Sequence, residues 1–242
     1  MNKQITLIAT LLTVNLSFAQ PDLIFKNGME LAKTYLNDTG ITWAGDYPSG
    51  NNLTCTGNIT PPQDCHQGAD FTNNDDSDGY AGFSFTKLDA NGDELLASAS
   101  NWTCVRDNIT GLIWEVKTTI VDSIHHKDNT YRWGGVTALS SNYGNYYDDW
   151  NSLVNGSNAE NFCGFNDWRV PTGTELKSIV DHSRINPAID ENYFPNTTNS
   201  FYWTASADAF SSSNAWFVVF NYGYSGNGIR NYNNNVRLVR KN

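Results

Sequence analysis

Short runs in which apolar and polar residues alternate fill the second half of the chain, and this pattern is typical of β-strands. The run "AGFSFTKLDANGDELL" predicts two strands joined by a hairpin at "DANG". "WTCVRDNITGLIWEVK" predicts a second pair that turns at Thr110-Gly111, with Leu112, Trp114 and Val116 on one face. "FYWTASA", "AWFVVFNYG" and "NNVRLVR" predict three more strands, which loops rich in Ser, Asn and Gly separate.

A helix is predicted by the stretch "WRVPTGTELKSIVDH". Pro171 stops a short strand, Thr172 can cap the helix, and Glu175 stands three residues later, as a capping box requires. Leu176, Ile179 and Val180 would share one helical face. A second short helix is predicted near 148–154 and an amphipathic one at "GMELAKTYL", so the predicted fold class is mixed α+β with strands predominating.

The N-terminus has the features of a secretory signal. Lys3 precedes the apolar run "ITLIATLLTVNL", and small residues at Ser17 and Ala19 suit cleavage after position 19. The run is shorter than the roughly 20 residues that span a bilayer, which disfavours a membrane anchor. We therefore predict a signal peptide at 1–19, an N-terminal extension at 20–80 and one domain at 81–242, in a secreted, periplasmic or cell-surface protein.

The charge of the chain limits its partners. The formal net charge is −10, or −11 once Lys3 is removed with the signal. Such an acidic chain repels nucleic acid and anionic lipid unless its bases cluster. Arg230, Arg237, Arg240 and Lys241 do cluster in sequence. We expect Arg237 and Arg240 to lie in a terminal strand and pair with nearby carboxylates, and we predict no nucleic-acid partner.

Four cysteines in an exported chain indicate disulfides. Cys55 and Cys65 are close enough in sequence to close one loop, which would leave Cys104 and Cys163 for a second bridge. Three pairings are formally possible, and spacing alone does not choose among them.

An acidic loop offers a weak metal-site candidate. Asn74, Asp76, Asp78 and Gly79 match the opening of an EF-hand calcium loop, but Phe85 occupies the twelfth position in place of the bidentate Glu. Asp76 and Asp78 are therefore candidates for a calcium site of another kind. The alternative is a solvated acidic loop without metal.

Several blocks, in order, resemble the bacterial domain family typified by the C-terminal domain of the Legionella collagen-like adhesin. They are "CVRDNITGLIWEVK", "FCGFNDWRVPTGTELKSIVD", "FYWTAS", "AWFVVFNYG" and "VRLVR", within residues 80–240. The resemblance implies a C-type-lectin-like fold, a small twisted antiparallel sheet with two helices and long loops. It also implies a Cys104–Cys163 disulfide, a lectin-like domain at 81–242 and a role in adhesion and carbohydrate binding. Four tryptophans would be framework residues: Trp114, Trp168, Trp203 and Trp216.

The tail "NYGYSGNGIRNYNNNVR" has the composition of antibody-type binding loops, in which Tyr offers stiff contact area and Asn, Ser and Gly offer adaptable hydrogen bonds. We predict a binding face at 208–214 and 221–235, for a glycan or a cell-surface protein and without catalysis or a required cofactor. The predicted ligand-binding residues are Tyr222, Tyr224, Asn231, Tyr232, Asn233 and Asp208. In a competing interpretation, Asn and Tyr only solvate turns at the sheet edge.

Two other functions stay open. The chain would suit a structural subunit of a surface assembly, in which the Tyr-rich face meets another protein. A formylglycine-generating oxidase shares the broad fold that the resemblance implies, but it needs reactive cysteines, whereas disulfides would use all four here.

Overall fold

A computed structural model describes residues 37–46, 48–60, 63–68, 71, 76–139 and 146–242. All of them belong to one compact unit, Tyr35–Asn242. The predicted signal, the "GMELAKTYL" helix and Asn74 lie outside the described residues. Within the described part, no helix is long and apolar enough to cross a membrane.

Most of the regular structure is antiparallel sheet. A two-stranded hairpin, β1 (Ala44–Asp46) and β2 (Gly50–Asn52), precedes a four-stranded sheet of order β3-β4-β5-β9. The strands of that sheet are β3 (Phe85–Leu88), β4 (Cys104–Asp107), β5 (Leu112–Glu115) and β9 (Val239–Lys241). A third sheet, of order β6-β7-β8, consists of β6 (Phe201–Ala207), β7 (Asn214–Val219) and β8 (Tyr224–Ile229).

The predicted pairing around Thr110-Gly111 is confirmed, because β4 and β5 pair antiparallel across that turn. The predicted shared face is confirmed, because Leu112, Trp114 and Val116 lie in one core cluster. The opposite face of β5 is buried as well, since all four of its residues are buried. Leu112 and Trp114 enter one core cluster and Ile113 enters the other, so β5 separates two halves of the core. The second strand expected at "DELL" is reduced to a single bridge between Leu88 and Glu94.

Two α-helices with described bounds follow β5 and precede β6 in the chain, α1 (Asn151–Ala159) and α2 (Gly173–Lys177). Helix α1 confirms the helix expected near 148–154, shifted toward the C-terminus. The capping box of α2 is present, with Thr172 accepting from the Glu175 backbone N–H and Glu175 accepting from that of Thr172. The helix ends at Lys177, earlier than predicted, yet Ile179 and Val180 are still buried in the core.

Strand β8 was missed in the sequence, where its Gly, Asn and Ser content indicated a loop. Six register pairs with β7 form it, from Asn214↔Ile229 to Val219↔Tyr224. Pairing to an existing apolar strand supplies hydrogen bonds that the intrinsic preferences of Gly and Asn do not predict.

Both disulfides have the expected pairing, Cys55–Cys65 and Cys104–Cys163. The second one joins β4 to a 3-10 helix at Phe162–Gly164, across 59 residues of sequence. It lies in the core, since both sulfur-bearing residues are buried.

The basic cluster of the sequence is largely internal. Arg230 and Arg237 are fully buried. Arg240 pairs with Asp167 as expected, Nε to Oδ1 at 2.6 Å. Arg237 instead donates to the Thr197 hydroxyl at 2.7 Å and lies 5.1 Å from the centre of the Phe194 ring. Two of the four bases therefore lie in the core, Arg240 is paired with a carboxylate, and Lys241 is exposed, so the four do not form one exposed cationic patch.

Candidate ligand-binding surface

The tail forms the turn after β7, strand β8 and the loop after it. Tyr222 lies in the turn and Tyr224 begins β8, and they are exposed at 59% and 50% of their surface. Gly223 between them has a φ of 77° and lies so close to Val180 that a Cβ would come within 2.7 Å of its Cγ1. Only glycine meets both demands without strain. The close contact holds the turn against the domain and presents the two tyrosines from a fixed backbone.

The two glycines within β8 have a packing role. A Cβ on Gly226 or on Gly228 would come within 3.0 Å of the Phe217 ring. That ring also packs edge-on against Phe201, with centroids 4.9 Å apart. Part of the glycine content of the tail thus makes room for an aromatic ring on the neighbouring strand.

The second group of predicted residues lies past the end of β8. Asn231, Tyr232 and Asn233 are exposed, with Tyr232 at 57%. The buried Arg230 holds the base of this loop, because its Nε donates to the Asn214 carbonyl at 3.0 Å and its guanidinium lies 4.3 Å from the Trp133 ring centre.

The last asparagines of the tail are structural. Asn234 pairs with Tyr131 through two backbone hydrogen bonds of 2.8 and 3.0 Å. The buried Asn235 side chain donates to the carbonyls of Lys127 and Asn129 at 2.8 and 3.1 Å. These contacts join the tail to the 127–131 segment.

Asp208 is placed at the same end as Tyr232 but is buried. Its Oδ1 accepts from the Phe210 N–H at 2.9 Å, and its own N–H donates to the Asn214 carbonyl at 3.1 Å. Asp208 therefore holds the 208–213 loop, at whose tip Phe210 is fully exposed.

The structure gathers the predicted residues into two groups, not one. Tyr222 and Tyr224 lie at the start of β8, whereas Asn231, Tyr232, Asn233 and Asp208 lie near its end. A strand of six residues spans about 20 Å. One small ligand cannot touch both groups, although a long glycan or a protein surface can.

Trp216 corrects one expectation of the sequence. Trp114, Trp168 and Trp203 are buried framework residues, but Trp216 is 36% exposed and lines a groove of about 300 Å³. Lys177 and several hydroxyl groups line the same groove, namely those of Thr172, Thr174, Ser206 and Ser225. The run "AWFVVF" gave no sign of this, because both of its faces are apolar.

Several charged residues line a cleft of about 590 Å³, and one of them, Lys87, makes close contacts within the chain. Lys87 donates to the carbonyls of Ala97 and Ala99 at 2.8 and 2.9 Å and lies 3.7 Å from the Trp102 ring centre. Burial lowers the pKa of Lys87, an effect that Asp190 opposes. The cation of the chain itself thus covers the aromatic wall of this cleft.

The calcium candidates lie beside that cleft. Asp76 Oδ1 accepts from the Ala81 N–H at 2.8 Å, and Asp78 Oδ2 accepts from the Ser84 hydroxyl at 2.5 Å. Among the described residues, no group of three or more His, Cys, Asp or Glu side chains is placed to hold a metal ion. A calcium site at Asp76 and Asp78 stays a prediction.

Both disulfides bear on the enzyme alternative. All four cysteines are paired, and no free cysteine is present. A formylglycine-generating type of chemistry needs a reactive thiol, which this arrangement does not supply.

Together, these features define a disulfide-braced α+β domain with an exposed aromatic and amide face. The Lcl C-terminal domain family matches residues 103–240, more than half of the chain, and the chain belongs to this family. The match confirms the resemblance found in the sequence. No curated protein and no solved structure matches the chain.

Proposed function

We propose that this protein is a secreted, periplasmic or surface-attached adhesin-like binding protein that recognises a glycan or a protein on a neighbouring surface. Membership of a family named for an adhesin domain supports the broad class. In this proposal the domain at 81–242 has a C-type-lectin-like fold, residues 20–80 extend it, and binding is non-covalent.

One observation carries the proposal. Tyr222, Tyr224 and Tyr232 each expose half or more of their surface, although the backbone beneath them is held by Gly223 and Arg230 contacts. Tyrosine side chains have few rotatable bonds, so they lose little entropy on binding, and they are typical interface anchors. Trp216 and its groove lie on the same hairpin and extend this surface.

The test is binding of the oxidised chain from Gln20 onward, the expected exported form, to a glycan array with calcium and with a chelator. Replacing Tyr222, Tyr224 and Tyr232 together with alanine should reduce binding by about tenfold or more, because hot-spot aromatics carry much of the binding energy. If the array is blank, the same variants are compared on intact host cells, where protein partners are also present.

The matched control is the double variant Ile120→Ala and Val121→Ala, which removes exposed apolar side chains, 69% and 76% accessible, from another loop. It should bind like the unchanged chain. Unaltered binding by the folded tyrosine variant would overturn the assignment of this surface. Separate Tyr222/Tyr224 and Tyr232 variants then show which end of β8 contributes more.

A further inference from the structure

The outer edges of the two larger sheets differ in how they are covered. Three of the four edge strands are β3, β6 and β9. On each of them, another segment of the chain hydrogen-bonds to the strand backbone. The bonds include Leu95 N–H to Lys87 O at 2.9 Å, Trp203 N–H to Asn235 O at 2.9 Å and Arg169 N–H to Val239 O at 3.0 Å. These contacts occupy backbone groups that would otherwise attract another strand.

Strand β8 is the exception within the described part of the chain. Its only strand partner there is β7, and no isolated bridge involves residues 224–229. Its side chains are also accessible, with Tyr224 at 50% and Ile229 at 42%. Among the described residues, no second strand pairs with the outer backbone edge of β8.

The usual devices that protect an edge strand are missing from β8. The segment "YSGNGI" contains neither a charged residue nor proline. Its register with β7 is continuous over six pairs, whereas β6 and β7 shift register between Trp203 and Ala207. An uncharged edge with a regular register is the kind that accepts another strand.

We infer that β8 pairs antiparallel with β8 of a second copy of this chain about a twofold axis, joining two three-stranded sheets into one of six strands. A twofold axis perpendicular to the sheet places a residue opposite itself. With the axis at Asn227, the two Asn227 amides face each other, and each can both donate and accept. Gly226 then lies opposite Gly228 of the second copy, without steric conflict.

The charge pattern favours a second copy over an acidic or basic peptide. Each chain carries a formal net charge of −10, but β8 contributes none of it. Pairing of the two β8 strands therefore brings no like charges together. Trp216, opposite Asn227 in the β7–β8 register, would extend the contact on the same face. Repulsion remains between the rest of the two chains, and salt screens it. The dimer should therefore become tighter as salt concentration rises.

The first experiment is sedimentation velocity of the oxidised chain from Gln20 onward, over about 1 µM to 1 mM, the range of weak complexes. We expect a monomer–dimer equilibrium. Asn227→Lys places two ammonium groups beside the axis and should weaken the dimer about tenfold or more. Ile120→Lys changes the net charge equally in an exposed loop and should dimerise like the unchanged chain.

Disulfide cross-linking of folded cysteine variants tests the register of the β8–β8 pair. Opposed residues in an antiparallel pair have Cα atoms about 5 Å apart, within the range of a disulfide. Asn227→Cys should give an intermolecular disulfide on mild oxidation, and Ile120→Cys should not. A chain that stays monomeric throughout, or a dimer equally strong in Asn227→Lys with no Asn227→Cys trap, would overturn the inference.

The experiments can overturn the ligand-binding surface and the β8 dimer independently of each other. If Asn227→Lys is monomeric but still binds the array or the cells, the dimer and the ligand surface are independent. If the tyrosine variant loses binding but keeps its dimer, the ligand surface is supported and β8 pairing is unaffected.

Discussion

At the scale of single residues, several charged side chains form a network around the buried Glu115. Glu115 is fully buried and accepts from Lys117 Nζ at 2.8 Å and from the Leu238 N–H at 2.7 Å. His125 Nδ1 lies 2.7 Å from Glu115 Oε1, and its Nε2 lies 2.7 Å from Glu160 Oε1. Burial alone would raise the pKa of Glu115, but Lys117 and His125 outweigh it and lower that pKa to about 2.

His125 makes stability depend on pH. Burial and the charge of Lys117 would lower the pKa of His125, but the hydrogen bond and charge of Glu115 and the hydrogen bond to Glu160 outweigh them and raise it above 6.5. A raised folded-state pKa means that the stabilisation is fully present below pH 6.5 and is lost as pH rises through the folded pKa. The unchanged chain should have a higher free energy of unfolding than His125→Gln. This difference, measured by urea unfolding at several pH values, should therefore shrink above neutral pH.

His126→Gln is the control, because His126 is the neighbouring histidine and contacts Asp128 instead of Glu115: its Nδ1 accepts from the Asp128 N–H at 3.2 Å and lies 3.9 Å from the Asp128 carboxylate. This variant should not reproduce the pH-dependent difference expected of His125→Gln. If the difference in unfolding free energy between the unchanged chain and His125→Gln grew from pH 6 to pH 9, the assigned network would be contradicted.

At the scale of elements, the α2 cap has a local sequence pattern and was predicted, whereas β8 has none and was missed. The capping box at Thr172 and Glu175 uses residues three positions apart, so it can be recognised in sequence and is present in the structure. Strand β8 depends on β7, and its glycines depend on the Phe217 ring, so no local pattern indicates it. No local pattern indicates the exposure of Trp216 either.

Removing the cap should weaken α2. Thr172→Ala loses the bond from the Glu175 N–H to the Thr172 hydroxyl, 3.3 Å long, and the bond from that hydroxyl to Glu175 Oε2, 3.0 Å long. The loss of an N-cap costs about 1 kcal/mol. Urea unfolding should show this decrease, whereas Thr174→Ala, the same change at an exposed position two residues later, should be nearly neutral. Equal losses in both variants would argue against the cap.

At the scale of the whole molecule, a distant segment completes the four-stranded sheet, and another contact anchors the tail. β9, at the C-terminus, pairs with β5 more than a hundred residues earlier, and Asn235 contacts carbonyls of Lys127 and Asn129. The core disulfide joins β4 to the segment after α1. Cross-linking distant parts of a chain restricts its unfolded state more than a short local loop does.

The two disulfides should therefore differ in their effect on stability. Replacing Cys104 and Cys163 with alanine opens a loop of 59 residues and should cost about 4 kcal/mol. Replacing Cys55 and Cys65 opens a loop of 10 residues and should cost about 3 kcal/mol. Urea unfolding of the two double variants measures both costs, and a larger loss for the 55–65 pair would contradict this ranking.

The amino-acid sequence by itself determined the α+β class, most strands, the α2 cap and the family, because these depend on local periodicity, capping and ordered blocks of residues. Spacing and the family resemblance together indicated both disulfides. Only the tertiary structure decided that β5 is buried on both faces, that Arg230 and Arg237 lie inside, and that β8 is an edge strand. It also divided the predicted binding residues between the two ends of β8. Each of these depends on which distant segment packs against a residue, and a pattern of neighbours along the chain does not contain that information.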